Sequence, residues 1–181
     1  VLTSAATDAG QDGCMLAVSN TIPLMRNNSP VLPACDLSKS ISYCVLPDHL
    51  QILVDMPRLL LVRQSNNWSH ILYIVIRVWY YKDSESAAPT KKLWDLAARL
   101  LRELRCGATA VVLLADANAQ LSAEHDVDVQ HAQFFRDFLQ ETGMFVSSNT
   151  SVDNASFHTF TGNNSSGVTI DYIGTSGCCY T

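Results

Sequence analysis

Apolar and polar positions fall into a few well-marked blocks along this chain. His70–Trp79 (His-Ile-Leu-Tyr-Ile-Val-Ile-Arg-Val-Trp) is dense in Ile, Val and aromatic residues, which fit a pleated, half-buried surface. Leu59–Arg63 is a second apolar run, and the polar Gln64–Ser69 separates the two. The pair predicts an antiparallel hairpin. From Pro89 to Leu104 the period changes. Leu93, Trp94, Ala97, Leu100, Leu101 and Leu104 recur at helical spacing, while Lys91, Lys92, Arg99, Arg102 and Glu103 fall on the other side. This predicts an amphipathic helix with Thr90 as its cap and Gly107 as its stop. Thr109–Ala115 is an uninterrupted apolar run, as expected of a central strand buried on both faces. A second helix is predicted over Val129–Glu141, with Ala132, Phe135, Phe138 and Leu139 inward and Gly143 as its stop.

The remaining signals are shorter. Cys14–Ser19 reads as a buried strand after a loop at residues 1–12, and Met144–Val146 as another strand. Phe157–Thr161 and Val168–Ile173 flank Gly162-Asn-Asn-Ser-Ser-Gly167 and predict a late hairpin. Residues 20–48 are rich in Asn, Ser and Pro and read as an irregular surface insertion, with a short strand at Ile41–Val45. Strands and helices in this order predict an α/β (α+β) domain with the sheet at its core.

Composition narrows the function classes. The chain has 181 residues, 48% apolar and 16% charged, which suits a globular domain with a real core. Its net charge of −5 argues against a module that holds nucleic acid by phosphate neutralisation alone. A nuclease stays open, because a divalent cation can supply the positive charge locally. Six cysteines occur without a Cys-x-x-Cys pair or zinc-finger histidine spacing, which favours idle thiols in a reducing compartment. Six Asn-x-Ser/Thr sequons matter only in a secreted chain, and no signal peptide is evident. No apolar run reaches the roughly 18–20 residues of a membrane span. The expectation is an intracellular protein, nuclear or cytoplasmic.

Two places could carry chemistry. In Leu113-Leu-Ala-Asp-Ala-Asn-Ala119 an apolar strand ends in Asp116, with Asn118 two positions on. If the extended conformation persists, both side chains point the same way, toward the crevice outside a strand end. A carboxylate beside a carboxamide suits a hard cation or its water and a phosphate oxygen. The plain alternative is a turn after a strand. In Val168-Thr-Ile-Asp-Tyr-Ile173, Asp171 sits inside an apolar strand, where a carboxylate is costly unless partnered or facing outward.

Together these stretches resemble a known family. Val111-Val-Leu-Leu-Ala-Asp-Ala-Asn-Ala119 is similar to the Gly-Asp-(Phe/Ala)-Asn-Ala strand end of the endonuclease/exonuclease/phosphatase superfamily. Phe157-His-Thr-Phe-Thr161 and Val168-Thr-Ile-Asp-Tyr-Ile173 resemble its late hairpin, Thr-(Trp/Phe)-Thr followed by Ser-x-Ile-Asp-Tyr. Phe134-Phe-Arg-Asp-Phe-Leu139, Leu93-Trp94 and the Leu59–Trp79 hairpin fit in the family's order. The Asp-Ala-Asn-Ala form is most similar to endonuclease domains of non-LTR retrotransposons. The resemblance covers nearly the whole chain. It implies residues 1–181 as a single incomplete domain, part of a four-layer α/β/β/α sandwich.

The resemblance implies a Mg²⁺- or Mn²⁺-dependent phosphodiesterase that cleaves DNA by in-line water attack, with a reverse transcriptase in the same parent polypeptide. Asp116 would orient or deprotonate the water, or hold it against the metal. Asn118 would donate to the scissile phosphate, and Asp171 would orient a catalytic histidine. Tyr80 or Tyr81 would stand for the tyrosine of the family's Tyr-x-Pro turn, although Trp79-Tyr80-Tyr81 lacks the proline. The main metal ligands are expected before residue 1 and the acid–histidine pair beyond Thr181. The 181 residues alone are therefore expected to show little activity and reduced stability. His125, with Asp126 and Asp128, reads as a solvated loop, His131 as a helix-face residue and His158 as an exposed strand residue. Other readings are an inactive relic, a phosphomonoesterase of the same superfamily, and a non-enzymatic interaction domain.

Overall fold

The computed structural model describes residues 1–3, 13–18, 21–23, 42–44, 47–65, 70–79, 85–105, 110–121, 129–146 and 170–176. Strands β1 (Leu2–Thr3) and β2 (Met15–Leu16) pair antiparallel, as do β3 (Thr21–Pro23) and β4 (Ser42–Cys44). A short 3₁₀ turn at Pro47–His49 leads into β5 (Leu50–Met56). Then come β6 (Leu59–Ser65), β7 (His70–Arg77), helix α1 (Ala87–Leu104), β8 (Ala110–Asp116), helix α2 (Val129–Thr142), β9 (Met144–Val146) and β10 (Asp171–Ser176). Six strands form the main sheet in the order β5-β6-β7-β8-β10-β9. All its neighbours are antiparallel except β7 and β8, whose parallel pairing is bridged by α1.

Both helices cover one face of this sheet. Leu59 and Leu61 of β6, Leu72, Ile74 and Ile76 of β7, and Leu113 and Ala115 of β8 meet Trp94 and Leu101 of α1 and Phe135 and Phe138 of α2. Trp94 stacks on Phe135 at 4.9 Å between ring centroids and lies 4.8 Å from Phe138. The opposite face buries a smaller cluster: Cys14 and Leu16 from the β2 segment pack with Leu60 and Val62 of β6, and Tyr73, Val75 and Leu114 border them. Helix layer, central sheet and a second β layer thus follow one another, as an α/β sandwich requires. No described helix is long and apolar enough to cross a membrane.

Several expectations need correction. The first residues are not all loop, because Leu2–Thr3 pairs with Met15–Leu16. Strand β5 carries no alternation signal, since a bulge between Ile52 and Val54 shifts its register and leaves Gln51, Ile52, Asp55 and Met56 exposed. In the segment 20–48 the short strand expected at residues 41–45 is β4, and it pairs with β3, a strand the sequence pattern did not signal. Thr90 does not cap α1. It lies within the first turn, fully buried, and donates its N–H to the Ser86 carbonyl at 3.0 Å. Ser86 holds the cap position, but its hydroxyl bonds His131 Nε2 at 3.2 Å instead of the helix end. His131 is consequently a buried residue tying the two helices together. Strand β8 is fully buried only toward the helices; Val112 and Leu114 on its other face are half-buried.

Strand β10 runs past the expected end at Ile173, through Gly174 to Ser176, while Val168 and Thr169 lie outside the described residues. A Cβ at Gly174 would lie 3.1 Å from both the Phe145 carbonyl oxygen and a Val146 methyl, so glycine permits the close approach of β9. Ser176 is buried and accepts the Val111 N–H at 3.2 Å. Gly143 stops α2 as expected, with φ of +63°. Gly107, Phe157–Thr161, His125 and His158 lie outside the described residues.

Candidate active site

Asp116 is the last residue of β8, and the chain beyond it is tied to both neighbouring strands. Ala117 donates its N–H to the Ile170 carbonyl at 2.8 Å. Val78, just past β7, donates its N–H to the Asp116 carbonyl at 3.0 Å. The Val78 carbonyl in turn accepts the Asn118 side-chain amide at 3.0 Å. Asn118 has φ of +44°, in the left-handed region that asparagine tolerates better than most residues. The extended conformation therefore does not persist past Asp116, and Asn118 does not stand above it as an i, i+2 neighbour would. One amide N–H of Asn118 fixes the turn to β7.

Asp171 is the first residue of β10 and is directly opposite Asp116 in the β10–β8 register. It lies on the exposed face of the strand, while Tyr172 turns toward the helices. Two carboxylates opposite each other repel. The Asp116 carboxyl is held above the ordinary carboxylate range, first by burial and then by the Asp171 charge. Arg77, the Asn118 backbone N–H and Arg58 pull it down, in that order, without reversing the shift. Arg77 Nε lies 3.4 Å from Asp116 Oδ2. Asp116 Oδ1 is buried and has no hydrogen-bond partner. A buried carboxylate oxygen without a donor is costly, and such atoms mark strain or the place of an absent ion or water.

The loop after Asp116 is clamped from the helix side by residues that the sequence reading passed over. The Tyr172 hydroxyl donates to the Ala119 carbonyl and accepts the Leu121 N–H, each at 3.0 Å. Its ring packs on Phe135 with centroids 5.1 Å apart. Burial raises the Tyr172 pKa, so the phenol stays protonated and able to donate. Arg136 of α2 donates to the Leu121 carbonyl at 2.6 Å. The signal for Tyr172 was available: it alternates with Asp171, so a buried aromatic with a polar tip was due on the helix face.

Two arginines complete this corner and were also missed as site residues. Arg77 ends β7 and sits beside Asp116 in the parallel register. Its N–H donates to the Arg58 carbonyl at 3.0 Å. Arg58, in the two-residue turn between β5 and β6, places its guanidinium 4.2 Å from the centroid of the Trp79 ring. Its φ of +70° is unusual for a residue with a side chain and costs about 1–2 kcal/mol. Glycine or asparagine is the ordinary occupant of such a turn position.

Tyr80 and Tyr81 lie outside the described residues, so the structure brings together Asp116, Asp171 and the Asn118 turn but says nothing of either tyrosine. Among the described residues no three His, Cys, Asp or Glu side chains converge on a point where a metal could sit. The Asp116 and Asp171 oxygens are nonetheless hard donors, and a Mg²⁺-like ion commonly uses one or two carboxylates plus water and substrate phosphate. The unpartnered Asp116 Oδ1 fits a role toward a metal-bound water better than a closed all-protein cage.

No family model matches the sequence, and no curated protein matches it. Solved structures do. The endonuclease domain of TRAS1, a telomere-specific non-LTR retrotransposon, superposes with a TM-score of 0.51 at 16% identity, covering 74% of this chain and 58% of that one. The AP endonuclease LMAP from Leishmania major gives 0.54 at 12% identity, covering 69% and 47%. An AP endonuclease from Archaeoglobus fulgidus gives 0.54 at 14% identity, covering 75% and 60%. The chain thus spans about half the length of the structures it matches. Likeness at these identities is a likeness of fold.

Proposed function

Because the chain carries the endonuclease/exonuclease/phosphatase fold over part of that fold's length, we propose that the Asp116 end of its sheet is a phosphodiester-hydrolysing centre. In this reading the parent polypeptide is a divalent-metal-dependent endonuclease acting on DNA. The observation that carries it is the state of Asp116: a strand-end carboxylate facing Asp171, with one buried oxygen left without a partner.

The chemistry assigned to each residue follows from its position. Asp116 Oδ1 holds the attacking water and takes its proton as the new O–P bond forms in line with the departing oxygen. A carboxyl pushed above its ordinary value is a better base than an unperturbed one, so burial serves the reaction while it penalises the fold. Asn118 spends one amide N–H on Val78, and the second is the donor for a phosphate oxygen. Asp171, exposed beside Asp116, is the acid that orients a histidine or a second water. A bound Mg²⁺ or Mn²⁺ would supply the charge that neutralises the phosphoryl and leaving oxygens. Residues supplied by the rest of the fold would complete its coordination.

The resemblance to retrotransposon endonucleases extends the proposal to the parent chain, in which a reverse transcriptase would follow and which would work on nuclear DNA. The test is nicking of supercoiled plasmid by the parent polypeptide in Mg²⁺ or Mn²⁺. Nicking by the wild type and its loss in Asp116→Ala are expected. Equal nicking by both overturns the reading.

A further inference from the structure

The charges around Asp116 are ordered. Four neighbouring strands of the sheet, β10, β8, β7 and β6, end side by side. Asp171 and Asp116 are register partners, Asp116 and Arg77 are register partners, and the Arg77 N–H bonds the carbonyl of Arg58, the residue just before β6. The corner therefore reads acid, acid, base, base, with steps of about 4.8 Å set by strand spacing. In a chain of net charge −5 this is a local arrangement and not a reflection of a basic surface.

We propose that Arg58 and Arg77 form the phosphate-binding half of this site and hold the backbone of a nucleic acid strand whose adjacent phosphodiester meets Asp116. The proposal rests on the hydrolytic reading only for what happens at Asp116; the binding stands on its own geometry.

Three features carry it. The Arg58 guanidinium lies over the Trp79 ring at 4.2 Å, a cation–π contact that holds it at this corner. A guanidinium presents a planar fork of N–H donors, which can meet a phosphate with two bonds at once. Arg77 keeps a side chain 52% exposed while its Nε leans on Asp116, so it both pairs with the acid and faces solvent. Finally, an arginine stands in a left-handed turn where glycine would be unstrained, and strained residues gather where function demands them.

Fluorescence anisotropy tests this with the 181-residue chain, a short labelled single-stranded oligodeoxynucleotide and EDTA, so that no cleavage is needed. Wild type is expected to bind with a salt dependence that reports phosphate contacts. Arg58→Ala and Arg77→Ala should each weaken binding several-fold at low salt and reduce the log–log salt slope by about 0.7. Arg58→Lys keeps the charge but loses the planar fork of donors, so it should keep the slope and lose affinity. Asp116→Ala should bind at least as tightly as wild type. Far-UV circular dichroism identifies variants that fail to fold, and Arg77→Gln replaces Arg77→Ala if that one does. Unchanged affinity and slope in folded arginine variants, or no binding by wild type, overturns the proposal even if Asp116-dependent nicking is found. Arginine-dependent binding to anionic vesicles with none to the oligonucleotide overturns the assignment to nucleic acid. Arginine-dependent binding without Asp116-dependent nicking would sink the hydrolytic reading and leave this proposal standing.

Discussion

The helix-covered face of the sheet and its Asp116 corner are built from the same strands to opposite ends. On the helix face Phe135, Phe138, Leu113 and Ile74 are buried among apolar neighbours, and the ring of Tyr172 carries its hydroxyl to two backbone partners. At the corner two carboxylates face each other, two arginines adjoin, Asp116 Oδ1 lacks a donor and Arg58 holds a strained backbone. The first region lowers the free energy of the fold. The second raises it, and the packing of the first allows the second to persist. Where a chain departs from its own rules of burial and charge pairing, chemistry is the reason to look for.

That contrast can be broken or sharpened by substitution. The largest effect is expected from Phe135→Ala, which removes a fully buried ring touching Trp94 and Tyr172. Stability should fall by about 3–5 kcal/mol, read from the denaturant midpoint. A loss below about 1 kcal/mol would mean that the helix face is not the core. Tyr172→Phe comes next and probes the link between the regions. It keeps the ring but frees the loop from Ala119 and Leu121, so if the proposed hydrolysis holds, kcat of the parent polypeptide should fall about 10–100-fold with KM unchanged. A loss of stability with kcat intact would make the tyrosine merely structural. The smallest effect is expected from Gly143→Ala. Nothing crowds a Cβ there, so only the positive φ opposes it, and about 1 kcal/mol should be lost in thermal unfolding, with cleavage by the folded protein unaltered.

The two regions also differed in how far the sequence revealed them. Helix α1 and strands β6 to β8 followed from hydrophobic period, because one-sided or central burial leaves a strong periodic trace. Strand β5 did not, because its bulge broke the alternation and half its side chains meet water. Asp116 and Asp171 stood out as acids bounding apolar runs. That they are partners across β8 and β10 is a matter of register, which no local pattern encodes. The same holds for Arg58 and Arg77, brought beside them by strands distant in sequence. The spacing of Asn118 left an extended residue and a turn both open, and its left-handed φ with the bond to Val78 makes it the turn.

One substitution with two readouts measures the state of Asp116. Asp116→Asn keeps the shape and removes the charge that burial and Asp171 oppose. A carboxyl whose pKa is raised in the fold adds stability below its ordinary value of 3.8 and loses it as pH climbs through the raised value. The exposed Arg77 pairing returns little of that loss. Thermal unfolding of the variant at pH 7 should occur above that of wild type, this advantage should disappear below about pH 4, and plasmid cleavage by the parent polypeptide should fall by about a thousandfold. A variant that is less stable at pH 7, or that still cleaves at the wild-type rate, would contradict the proposed role of Asp116.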